Sequence, residues 1–132
     1  VKHIILEKAQ KKFSGDIQDL SIKNNYFRKV LFTSSHLQLV VMSLSPGEDI
    51  GNEKHEVDQF FRIEQGEATF YFEGKDKAVF GDGGSAVVPA GMYHNVVNTG
   101  KTDLKLYTVY SPPNHPAGTI HKTKAEALER GD

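Results

Sequence analysis

The residues able to do chemistry gather in two short stretches. In Gly51-Asn-Glu-Lys-His-Glu-Val-Asp-Gln59, the residues Glu53, His55, Val57 and Gln59 stand at even spacing. Side chains on an extended strand alternate between faces, so Glu53, His55 and Gln59 can converge on one side while Lys54, Glu56 and Asp58 point away. That brings a carboxylate, an imidazole and an amide oxygen within reach of a common point. Asp58 competes as an oxygen donor, but parity sends it outward unless a bulge intervenes. The second stretch is Pro89-Ala-Gly-Met-Tyr-His-Asn-Val-Val-Asn98. Its proline and glycine make a tight entry to a strand and fix the direction of His94. A single histidine beside a strand is more often a satisfied polar group than a ligand, and the same polar residues could form a hydrogen-bonded network inside a barrel.

The elements that must position these residues read almost entirely as strands and turns. Tyr26 to Thr33 and Leu37 to Leu44 are rich in aromatic and β-branched residues and flank the polar turn Ser34-Ser35, which predicts an antiparallel pair. Ser45-Pro46-Gly47 ends the second strand. Val57 to Ile63 and Ala68 to Phe72 flank a hairpin turn at residues 64–67, with Gly66 available for positive φ. Lys77 to Phe80 and Ser85 to Val88 surround a glycine-rich turn, and His94 to Asn98 pairs with Leu104 to Tyr110 around Gly100. About eight short strands with glycine or proline turns predict an all-β sandwich or barrel rather than βαβ units. Phe61 shares the parity of Gln59 and is a candidate cavity wall; on the last strand the inward face is left open between Leu106, Thr108, Tyr110 and Tyr107, Val109.

The tail changes character. Pro112-Pro113 and Pro116 end the last strand, and Thr123 with Glu126 three residues later predicts a capping box for a short helix ending near Gly131. His115, His121 and Lys122 either close over the barrel opening, where they could touch an anionic substrate, or lie on the surface. The first twenty-five residues are the least readable; Ile4 to Leu6 is a candidate edge strand.

Composition narrows the function classes. The 132 residues suit one domain, 1–132, with a barrel core over 25–110 and a tail over 111–132. With 38% hydrophobic and 25% charged residues the chain has the balance of a folded domain. No cysteine is present, which excludes disulfides, thiolate ligands and cysteine nucleophiles. Sixteen basic against seventeen acidic residues leave a formal charge of -1, with no electrostatic footprint for nucleic acid. No apolar run approaches the roughly 20 residues that span a bilayer. The start of the chain lacks the apolar core of a secretion signal, so the cytoplasm is the expected compartment.

Both stretches can be laid on known motifs, and through them the chain resembles the cupin superfamily, in particular its small single-domain monocupins of the cupin_2 type. The first motif reads Gly47, five residues, Glu53, one residue, His55, three residues, Gln59, six residues, Gly66. Its usual form has histidines at the positions of Glu53 and His55 and glutamate at that of Gln59. The second reads Gly83, five residues, Pro89, one residue, Gly91, two residues, His94, three residues, Asn98, with each signature residue present. The resemblance implies a double-stranded β-helix, the cupin or jelly-roll barrel, with a short C-terminal helix added here. It also implies one divalent transition metal per chain, held by Glu53, His55, Gln59 and His94. Such a mixed nitrogen and oxygen set suits Mn(II), Fe(II), Co(II), Ni(II) or Zn(II).

The activities that the resemblance implies include isomerisation of sugars, sugar phosphates and uronates, dioxygenation, decarboxylation and non-catalytic ligand binding. The expected reading is metal-dependent, non-redox, isomerase-like chemistry on a small hydroxylated or carboxylated molecule. A metal-dependent dioxygenase and a non-catalytic small-molecule-binding module are the alternatives. Glu53 is either a metal ligand or, unligated, the general base; Tyr93, Tyr107 and His115 are further candidates for proton transfer. The open edges of a small barrel also predict a homodimer.

Overall fold

The computed structural model describes residues 11–131; the candidate edge strand Ile4 to Leu6 lies outside them. In chain order the elements are α1 (Ile17–Lys23), β1 (Arg28–Thr33), β2 (Gln38–Leu44), β3 (Asp58–Gln65), β4 (Ala68–Phe72), β5 (Asp76–Phe80), β6 (Ser85–Val88), β7 (His94–Asn98), β8 (Leu104–Ser111), β9 (Ile120–His121) and α2 (Lys124–Glu129). The strands form a six-stranded sheet in the order β6-β3-β8-β2-β1-β9 and a three-stranded sheet in the order β5-β4-β7. The strand pairs are antiparallel.

Alternation fills the space within. Val40, Met42 and Leu44 of β2, Phe61 and Ile63 of β3, Phe70 of β4, Val96 of β7 and Leu106 of β8 share one buried apolar cluster, and each such side chain contributes roughly 1.5–3 kcal/mol by leaving water. On β8 it is Leu106, Thr108 and Tyr110 that are buried, while Tyr107 and Val109 are only partly covered. Thus Phe61 is a core residue, packed between the rings of Phe70 and His94 at 5.7 and 5.9 Å, not an open cavity wall.

The strand boundaries correct one expectation. β3 begins at Asp58, so residues 53–57 lie outside regular strand and the even spacing of Glu53, His55 and Gln59 is not a shared strand face. Glu53 is instead joined to His94 by an isolated antiparallel bridge. Parity does govern β3 itself: Gln59 and Phe61 are buried and Asp58 is exposed, its Oδ1 accepting from the amide of Ala90 at 2.9 Å.

Two segments wrap this barrel. Before it, α1 is capped by Asp16, whose Oδ1 accepts from the Asp19 amide at 3.0 Å. Sequence patterning did not mark this helix; the Asp16 cap was its readable signal. Beneath it the outward-pointing Lys105 of β8 is buried, and its ammonium donates to the Asn24 carbonyl, Asn25 Oδ1 and Ser43 Oγ. After the barrel, the tail turns back across its opening. The wholly buried Gln38 pins it there, Oε1 accepting from the amides of Asn114 and His115 at 3.0 and 2.9 Å and Nε2 donating to the His115 carbonyl at 2.7 Å. β9 then pairs with β1. Thr123 caps α2 as expected, with Oγ1 accepting from the Glu126 amide at 3.1 Å, while the Glu126 carboxylate accepts from the Lys122 amide at 3.3 Å. Among the described residues no helix is long and apolar enough to cross a membrane.

Candidate functional site

The loop before β3 and the turn before β7 are laced together by their backbones. Glu53 and His94 exchange two amide-to-carbonyl bonds at 2.8 and 2.9 Å, and the Gly91 amide donates to the His55 carbonyl at 2.8 Å. Gly91 has φ +87°, a left-handed conformation that costs any residue with a Cβ. This is why a proline and glycine turn precedes His94: it aims the chain into β7 with His94 directed inward.

The lacing sets the side chains. Glu53 Oε2 lies 2.8 Å from His55 Nε2, and both side chains are largely shielded from solvent. The His55 ring stands edge-on to His94 and Tyr110, with centroids 5.4 and 5.7 Å apart. His94 Nδ1 donates to the Met92 carbonyl at 3.0 Å, which leaves its Nε2 as the unprotonated nitrogen. Burial is the main cause holding the His94 pKa below the ordinary histidine value, opposed by the Met92 hydrogen bond. Gln59 Nε2 donates to Thr108 Oγ1 at 2.9 Å, and Thr108 in turn donates to the Phe60 carbonyl at 2.8 Å.

The placement of the histidines and carboxylates overturns the expected metal centre. Among the described residues no three histidine or carboxylate side chains converge where an ion could be held. Glu53 Oε2 is set against His55 Nε2, and it is the nitrogen of the Gln59 amide, not its oxygen, that is bound to Thr108. The expectation of a divalent ion on Glu53, His55, Gln59 and His94 is corrected on that ground: the described histidines and carboxylates do not form the cluster it requires.

A cavity of about 620 Å³ opens beside the Glu53–His55 pair, between the barrel mouth and the returning tail. Besides that pair it is lined by Arg28, Asn114, His115 and Lys124. His115 is 3% exposed and its Nε2 lies 3.3 Å from the Tyr110 hydroxyl. Burial first, then the neighbouring Arg28 charge, push the His115 pKa down to about 3, so its imidazole is neutral at physiological pH. Lys124 reaches across from α2 to the carboxylate of Asp49, which also accepts from Asn95 Nδ2 at 2.9 Å. Burial raises the Asp49 pKa, but the bonds from Lys124 and Asn95 outweigh it and hold the carboxyl below its ordinary value.

The tail thus supplies His115 to the cavity, whereas Lys122 is exposed and His121 is buried against β1, its Nδ1 3.1 Å from Arg28 Nη1. Tyr93 is not brought to this cavity. It is 44% exposed and lines a separate shallow recess with Asn52 and Glu73, the ammonium of Lys54 lying 5.1 Å from its ring centroid. Tyr107 sits on the outward face of β8, against Phe60. Arg28 and Lys124 were not among the residues that the sequence singled out. For Arg28 a signal existed, since it shares strand parity with Val30 and so occupies an inward position; Lys124 had none, because only the folding back of the tail brings it to the barrel.

Comparison with known proteins places this geometry in context. Residues 40–110 match the family model described as "Cupin domain". The chain is 47% identical over 135 residues to YrkC, an uncharacterised protein of Bacillus subtilis, covering 98% of this chain and 73% of that one. The crystal structure of BH2720 from Bacillus halodurans is similar with a TM-score of 0.88 at 42% identity, covering 90% of this chain and 95% of that one. An oxalate-binding protein of Thermotoga maritima is 36% identical over 69 residues, 52% of this chain and 56% of that protein.

Proposed function

The chain belongs to the cupin family and has its double-stranded β-helix barrel, and from that premise we propose that it acts on a small hydroxylated or carboxylated molecule by non-redox proton transfer in the cavity at the barrel mouth. The observation that carries this reading is the Glu53–His55 pair, a carboxylate 2.8 Å from an imidazole on the wall of a cavity of about 620 Å³. That volume lies within the usual range for small-molecule sites. Beside Ile50 and Leu128 the wall carries amides, imidazoles and cations, which suit a ligand rich in oxygen.

In this reading Glu53 takes a proton from the carbon next to a carbonyl while the C–H electron pair moves toward the carbonyl oxygen. Return of that proton to the former carbonyl carbon, with the proton of the adjacent hydroxyl passing to the former carbonyl oxygen so that the C=O forms anew beside it, completes an isomerisation. His55 stands against the carboxylate and positions it. Neutral His115 and Asn114 offer hydrogen bonds to the polar body of the ligand, and the Tyr110 hydroxyl beside His115 fixes that imidazole's orientation.

The test is solvent exchange. Wild-type protein in D2O, incubated with a panel of aldoses, ketoses and uronates, should place deuterium next to the carbonyl of at least one of them. Glu53→Gln should abolish that incorporation. A non-catalytic binding module is the second reading, favoured by the name of the oxalate-binding relative from Thermotoga maritima. Saturable binding without deuterium incorporation would decide for it.

A further inference from the structure

Arg28 is a fully buried cation that the Glu53–His55 chemistry does not use. It is 1% exposed, yet it lines the cavity. Its Nη1 meets His121 Nδ1 at 3.1 Å and its guanidinium carbon lies 5.2 Å from the Phe27 ring centroid. Its Nε is buried and has no hydrogen-bond partner among the described residues. Among the described residues no carboxylate pairs with it, whereas Lys124 and the cavity's own carboxylate, Glu53, each have a partner. A buried guanidinium is always charged, and taking it from water without a counter-ion costs several kcal/mol. Proteins keep such an arrangement where an anion completes it.

We propose that Arg28 is the anion-anchoring residue of this cavity, seating the carboxylate of an organic acid whose polar body extends toward Glu53 and His55. This deepens the reading of the cavity as the ligand site and rests on it. A planar carboxylate fits the two-pronged face of a guanidinium with two parallel hydrogen bonds. Neighbouring groups favour the same sign of ligand. Lys54 and Lys124 also line the cavity, and among the described residues of its wall the one carboxylate, Glu53, is set against His55. The ligand class is therefore a small polyhydroxylated or compact carboxylic acid rather than a neutral sugar.

Matched probes test this. Binding of D-glucuronate, galacturonate and oxalate, and of neutral D-glucose, is measured by calorimetry and ligand-observed NMR on wild type, Arg28→Gln, Arg28→Lys and Lys101→Ala. At least one carboxylate should bind tenfold or more tightly than glucose. Arg28→Gln should remove that preference. Arg28→Lys, which keeps the charge and loses the planar fork, should retain only part of it, and Lys101→Ala, altered in the exposed turn between β7 and β8, should bind as wild type. Melting temperatures check the fold, and if Arg28→Gln does not fold the lysine variant carries the comparison. Carboxylate binding unchanged in the Arg28 variants, or equal to that of glucose, overturns the role of Arg28 while leaving the cavity as the ligand site. No saturable binding of any carboxylate or of glucose overturns both readings.

Discussion

Glu53 and His55 touch at 2.8 Å, although they do not share a regular strand. Their contact is imposed from outside the segment, by the bridge from Glu53 to His94 and the bond from Gly91 to the His55 carbonyl. Because the backbone fixes the pair, the side chains can be altered without dismantling it. Glu53→Gln should therefore fold with a melting temperature close to wild type and lose deuterium incorporation by about 10²-fold or more, the usual contribution of a positioned acid or base. Equal exchange rates in the two proteins would remove Glu53 from the mechanism.

The Gln59–Thr108 bond should prove structural. Thr108→Val keeps the shape of the side chain but removes the acceptor of Gln59 Nε2, which is buried, and the donor to the Phe60 carbonyl, which is partly buried. Leaving such groups unsatisfied costs about 1–3 kcal/mol each. Urea unfolding should shift to lower midpoint by a corresponding amount, and an unchanged midpoint would show that water takes over these bonds.

Stability should fall in mild acid because of buried histidines. His115 has a folded pKa of about 3 against an ordinary value near 6.5, so below pH 6.5 the unfolded chain binds a proton that the folded chain does not. The stabilisation is complete above pH 6.5 and is progressively lost between there and pH 3. His94, also lowered, acts in the same direction. His115→Gln should flatten the dependence of unfolding free energy on pH by up to about 1.4 kcal/mol per pH unit. Parallel curves for variant and wild type would contradict the burial of a neutral His115.

The link between Lys124 and Asp49 should hold α2 over the cavity. The Asp49 pKa is depressed in the folded protein, so the link is intact at neutral pH and is lost as pH falls through the depressed value, below 3.8. Asp49→Asn should raise amide hydrogen exchange in residues 120–130 at pH 7 more than in β2 or β8. As a partly exposed pair its worth is small, about 1 kcal/mol or less, so global unfolding should change little. Uniform exchange across the chain would place the anchor of the tail elsewhere, with Gln38 the next candidate.

Features that depend on neighbours along the chain were legible from the residues alone. Period-two alternation and turn residues located the barrel strands, with Ala68–Phe72, Ser85–Val88 and His94–Asn98 matching to the residue. Thr123 and Glu126 announced α2, because a cap is satisfied within one turn of backbone. The spacing of Gly83, Pro89, Gly91, His94 and Asn98 disclosed the family for the same reason. The roles of the polar residues came from packing in three dimensions. Parity presumed a strand through Glu53 that the chain does not form, and residue type alone could not reveal that Gln59 answers to Thr108, nearly fifty residues away. Nor could it show that the tail folds back through Gln38 to carry His115 and Lys124 to the opening. A polar side chain takes whichever partner the fold brings within about 3 Å, and that partner is chosen by packing at long range.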